Sequence, residues 1–169
     1  METRSIHSRV PLATLILILA NAIFASSETL QLPQQTVQIR SDLQHATEFV
    51  RTLQHVGIRV QEVLGSKLAA LFQGVDTSAF VRTDLGVVEL VVLPGAKDAE
   101  KISITYTRGG ALHQYTLKGP FLPVEGERMD TADPSYFTLH KNWFLVTREP
   151  ELEGQLKRAL GQTSRQATP

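Results

Sequence analysis

The chain of 169 residues contains no cysteine. That absence removes disulfides, a thiolate nucleophile, cysteine-ligated metals and a lipid-modified cysteine together. Neither sign of charge is in surplus, since 17 Lys and Arg balance 17 Asp and Glu. No basic cluster stands out past the N-terminal region, and binding phosphates needs a concentration of cations, so nucleic acid is not expected as a partner. The motifs of nucleophilic, zinc and phosphate chemistry are missing too: there is no Gly-x-Ser-x-Gly, no His-Glu-x-x-His and no Gly-x-x-x-x-Gly-Lys-Ser/Thr. The expectation is a protein that is not an enzyme and uses no cofactor.

What is present begins with Arg4 and Arg9, an apolar run from Leu12 to Phe24, and small residues through Ala25-Ser26-Ser27. This is the layout of a secretory signal peptide over residues 1–25, with cleavage after Ala22 or Ala25. The apolar run is short for a membrane span, which needs roughly 20 residues. The alternative is an uncleaved anchor, in which case membrane contact is confined to that segment. Residues 26–35, rich in Gln and carrying Pro33, read as a linker, 36–161 as one α+β domain, and 162–169 as a disordered tail. A chain of about 145 residues after cleavage is long enough to bury a core without disulfide staples. Export without cysteine fits a periplasmic or secreted protein of the bacterial cell envelope.

The segment from Phe80 to Leu117 reads as a four-strand antiparallel meander. Alternating runs flank Gly109-Gly110, a pair suited to a two-residue hairpin turn. Setting Arg108 opposite Ala111 puts Tyr106 opposite His113, Ile104 opposite Tyr115 and Ile102 opposite Leu117, with one face apolar and the other polar. Before it, Asp84-Leu85-Gly86 reads as a three-residue loop that sets Phe80 opposite Leu90. Val87, Val91 and Leu93 are apolar on the reverse side, so this strand is expected to be central and covered on both faces.

From Thr36 to Phe72, apolar residues including Leu43, Ala46, Phe49, Val50, Leu53, Val60, Val63, Leu64 and Leu71 recur at helical spacing. The wide stripe predicts a long amphipathic helical segment packed on the sheet. Gly57 either breaks it into two helices or permits close approach. His45 and Glu48 stand three apart, a spacing that suits two metal ligands, but no third ligand is placed; the other reading is a solvated face shared with His55.

The segment 119–135 is too rich in Pro and Gly for a regular element, and is expected to be a loop that packs Phe121, Leu122 and Val124 over the sheet or serves as a docking flap. A last hairpin, Tyr136 to Thr147 with its turn at Lys141-Asn142, sets Phe137 opposite Val146 and Leu139 opposite Phe144. Trp143 then shares the other face with Tyr136, His140 and Leu145. A short C-terminal helix begins at Pro150, buries Leu152, Leu156, Ala159 and Leu160, and stops at Gly161. Ser78-x-Phe80 and Ser135-x-Phe137 each open a hairpin followed by a helical run, an echo that needs a one-residue gap and is as readily chance.

Together these make an α+β fold: an antiparallel sheet of about six strands, packed by a long N-terminal helical segment and a short C-terminal helix. A helix before a four-strand meander resembles the architecture of cystatin-type inhibitors and of helix-on-sheet carriers. The inhibitors' Gln-x-Val-x-Gly is absent, because Gln54-His-Val-Gly57 lacks the spacer, and architecture alone does not assign function. The first functional expectation is an exported, non-catalytic module whose long helix and last hairpin offer surfaces to another envelope protein. The alternative is a small carrier holding an apolar or aromatic ligand between helix and sheet. Its candidate lining is Tyr106, His113, Tyr115 and Trp143, with Arg82 placed to meet an acidic group or to reach the sheet rim.

Overall fold

The computed structural model describes residues 37–161, so the expected signal segment, linker and tail lie outside the described residues. Val37 and Ile39 pack inward from an extended entry. A 3-10 segment, Ser41–Ala46, leads directly into α1, Thr47–His55. Leu43, Ala46, Phe49, Val50 and Leu53 are buried along one stripe, as the helical spacing predicts.

The long helix expected to reach Phe72 ends at Gly57. That residue takes φ +85, its N–H donates to Gln54 O, and Ile58 N–H donates to Leu53 O. This paired arrangement around a left-handed glycine is how many helices stop. Beyond it the chain extends into a strand, β1, Val60–Gly65. Its pairing with β2, Ser78–Thr83, shifts between Val60 and Glu62, where the strand carries an extra residue. A bulge of this kind lengthens the step between inward-facing side chains. Val60 and Val63, three apart, are therefore both buried, and the strand imitates a helical stripe in sequence. A 3-10 turn, Leu68–Leu71, completes the segment.

The remaining elements are β3 (Gly86–Val92), β4 (Ser103–Gly109), β5 (Leu112–Lys118), β6 (Glu127–Thr131), β7 (Tyr136–His140), β8 (Trp143–Thr147) and α2 (Pro150–Ala159). All pairings are antiparallel, but they form two sheets, β1-β2-β3-β8-β7 and β4-β5-β6. The α+β class holds. The expected single meander does not: β3 takes β8 as its second neighbour, and β4 and β5 leave for the small sheet. A central strand needs an apolar partner on each side, and every residue of β8 is buried. The supposed loop 119–135 supplies β6, which closes the small sheet against β5.

Two hairpin registers also differ from expectation. In β2–β3 the loop is Asp84-Leu85, so Phe80 opposes Glu89 and Val81 opposes Val88. The one-residue change moves Phe80 and Arg82 to the face of Val87, Glu89 and Val91. In β4–β5 the loop is Gly110-Ala111, with Gly110 at φ +63 and Tyr106 opposite Tyr115. That shift is by two residues, so the expected faces survive. The β7–β8 register is as read, Phe137 on Val146 and Leu139 on Phe144.

Helices cover one face of the large sheet and the small sheet covers part of the other. On the helix side Phe49, Leu53, Val81, Val88, Leu90, Leu145, Leu152 and Leu156 form one core. On the other side Val91, Leu93, Phe144 and Val146 meet Ile102, Leu117 and Leu122. The serine-phenylalanine echo has a structural counterpart. Both hairpin loops contain two residues, so Phe80 and Phe137 occupy equivalent positions with no gap, and β3 meets β8 with equivalent Glu89 and Val146 opposite each other. The two hairpins are thus related by an approximate two-fold axis through the sheet.

Candidate functional site

The approximate two-fold makes one asymmetry visible. Phe137 is covered: Tyr115 of the small sheet meets it edge-on at 4.9 Å between ring centroids, and Phe144 lies beside it at 5.8 Å. Its equivalent, Phe80, looks into an open groove. The groove holds about 500 Å³ and is lined by Gly65, Lys67, Leu68, Leu71, Phe80, Glu89 and Met129. A second depression of about 310 Å³ adjoins it across Phe80, bordered by Glu62, Leu64, Arg82 and Val87. The floor is cross-strand rows of the large sheet, Leu64–Phe80–Glu89 and Glu62–Arg82–Val87. The 3-10 turn after β1 raises Leu68 and Leu71 as one wall, and Met129 of β6 stands at the other side.

Its electrostatics are mixed, with one ion pair at the margin and one carboxylate on the floor. Arg82 pairs with Glu62 at 3.6 Å, both well exposed, which contributes little to stability. Glu89 accepts a hydrogen bond from Ser66 Oγ at 2.9 Å, and this fixes the carboxylate at the groove floor. Leu64, at 40% exposure, stands at the open rim.

The five residues singled out from sequence do not converge on one place. Arg82 borders the groove. Tyr106, His113 and Tyr115 come together on the small sheet, away from the helices: Tyr106 Oη lies 2.8 Å from His113 Nδ1, and the Tyr106 ring is 5.7 Å from His113 and 5.3 Å from Tyr115. Trp143 is on the opposite face of the large sheet, buried under α1 with Phe49 edge-on at 5.4 Å. Tyr115 Oη accepts Ser135 N–H at 2.8 Å. Burial raises its pKa above the usual 10; the Ser135 bond draws it partly back, and the neighbouring phenols of Tyr106 and Tyr136 push it up. Among the described residues no carboxylate hydrogen-bonds His113, whose Nδ1 meets the Tyr106 hydroxyl.

No family model matches the chain, and no curated protein or solved structure is significantly similar to it. The assignment therefore rests on the geometry.

Among the described residues no group of His, Asp and Glu could hold a metal ion, and no helix is long and apolar enough to cross a membrane. His45 turns partly inward with Nε2 buried and unpartnered, while Glu48 and His55 are exposed. The groove residues Leu64, Leu68, Leu71, Phe80, Glu89 and Met129 escaped sequence reasoning for traceable reasons. The first three fell within the supposed helix, Phe80 was paired one residue off, and Met129 lay in the supposed loop. The signal that could have found them was Asp84-Leu85: a two-residue turn instead of three would have put Phe80 on the right face.

Proposed function

We propose that the protein is an exported, non-catalytic interaction module of the bacterial cell envelope that docks a partner in the groove around Phe80. The observation that carries this reading is the open groove beside half-buried Phe80, where the equivalent Phe137 instead has the rings of Tyr115 and Phe144 against it. Both rings are half-buried, but the small sheet sets an aromatic ring on Phe137, whereas an apolar groove stays open beside Phe80. Exposed apolar surface with a polar rim is costly to keep unless something covers it. The N-terminal segment supports export, since its sequence has the layout of a signal peptide.

The test is a photo-cross-linking residue at Met129 in cells, with exposed Arg158 of α2 as control. The same envelope protein should be captured from position 129, not from 158, and capture should disappear in Phe80→Asp. Equal capture at both positions, or none at 129, sinks the reading.

A second reading, a carrier for a small apolar ligand, is favoured by the groove's volume of about 500 Å³, within the range of ligand pockets. The ligand would lie in this groove, because the space between helix and sheet is packed with side chains such as Phe49, Leu53, Val81 and Leu90 that have no exposure. Native mass spectrometry separates the two: retained mass that leaves on denaturation supports the carrier.

A further inference from the structure

A sheet edge presents unpaired N–H and C=O groups, and folded proteins blunt such edges with proline, charge or a covering element. Both edges of the large sheet, β1 and β7, have helical segments packed against them, but a helix on a strand's face leaves the outward main-chain groups of that strand unpaired. Beside β7 pack α2 and the 3-10 turn Ala99–Lys101, and beside β1 the 3-10 segment Ser41–Ala46 and α1. β1, among the described residues, has a strand on one side only. Its bulge is confined to Val60–Glu62, and no proline or lysine interrupts it. Ser66 N–H donates to Ser78 O at 3.4 Å, which sets the alternation of the ladder. Glu62, Leu64 and Ser66 direct their main chain to β2, and Val63 and Gly65 direct theirs outward.

We propose that β1 pairs antiparallel with β1 of a second copy of this chain, about a two-fold axis through Leu64. The proposal rests on reading this face as a binding surface and names one of its partners. The registers that bring outward groups together differ in what they oppose. An axis at Glu62 sets two carboxylates against each other, and an axis at Val63 sets Leu64 against Glu62. With the axis at Leu64, the two exposed leucines face each other as a close, non-hydrogen-bonded pair, Cα atoms about 4.5 Å apart. Val63 of each copy then exchanges both main-chain bonds with Gly65 of the other. Glu62 falls opposite Ser66 and next to Lys67 of the second copy, so opposite charges meet at both ends of the seam. Across the outer face, the row Phe80–Leu64 of one copy continues into Leu64–Phe80 of the other, and both grooves stay open.

The absence of cysteine makes the test clean. Leu64→Cys in the full chain is expected to form an intermolecular disulfide under mild oxidation, since the proposed pair lies within the about 4.4–6.8 Å that a disulfide spans between Cα atoms. Val87→Cys, on the same face but on β3, should stay unlinked. The unsubstituted protein should sediment as a concentration-dependent dimer, and Leu64→Glu, which opposes two carboxylates, should weaken dimerisation at least about tenfold. Equal linking at both positions, no linking at 64, or a monomer at high micromolar concentration overturns the proposal. A monomer that still captures an envelope protein through Met129 removes the dimer alone, whereas a dimer linked through position 64 without such capture removes only the docking of a different protein.

Discussion

Ser135 N–H is buried with its residue at 8% exposure, and its acceptor is the Tyr115 hydroxyl. Tyr115→Phe keeps the ring against Phe137 and leaves that N–H without a partner, so it is expected to cost about 1–3 kcal/mol, measured by denaturant unfolding. His140 reports a different balance. Burial lowers its pKa from 6.5, Lys141 lowers it further, and Glu100 opposes both. A folded-state value below the unfolded one means that the folded protein binds fewer protons in between. The associated stability is complete above about pH 6.5 and is lost as pH falls through the folded value. His140→Gln should therefore flatten the stability profile as pH falls below about 6.5, and an unchanged slope would remove His140 as its cause. At this scale the sequence was informative about faces in the β4–β5 and β7–β8 hairpins, put Phe80 and Arg82 on the wrong one, and was poor about neighbours. Trp143 and His140 share a face as read, and their rings lie 6.0 Å apart. That Trp143 meets Phe49, far along the chain, depends on how α1 crosses the sheet.

Gly57 decides the element scale. No heavy atom would meet a Cβ there within 4 Å, yet φ is +85. Gly57→Ala is thus a test of backbone conformation with no clash, expected to cost about 1–2 kcal/mol in thermal unfolding. A neutral or stabilising result would mean that the chain runs on as a helix in solution. Elements with local signals were legible. Pro150 opens α2, Gly161 follows it at φ +65, and Lys141-Asn142 turns the last hairpin. β1 was not legible, because its bulge spaces Val60 and Val63 like successive turns of a helix. The β2–β3 register was missed because Asp84-Leu85-Gly86 suits a loop of either length, and the choice depends on burying Val81 and Val88 under α1.

For the whole molecule, the approximate two-fold yields a paired prediction. Phe137→Ala removes ring contacts to Tyr115 and Phe144, whereas Phe80→Ala enlarges a groove already open. Phe137→Ala should destabilise more by at least about 1 kcal/mol, measured as the difference in unfolding free energy, and Phe80→Ala should instead reduce partner capture. Equal losses would mean that Phe80 is covered in the protein's own fold. The amino-acid sequence by itself determined the class of the fold, most strand positions, the C-terminal helix and the absence of cysteine chemistry, because each follows from side-chain periodicity or from a residue type at one position. Only the tertiary structure decided that β3 pairs with β8, that the strands divide into two sheets, and that a groove stays open beside Phe80. Those outcomes depend on competition between apolar faces distant in the chain, and a strand such as β3, apolar on both sides, carries no local mark of which partner wins.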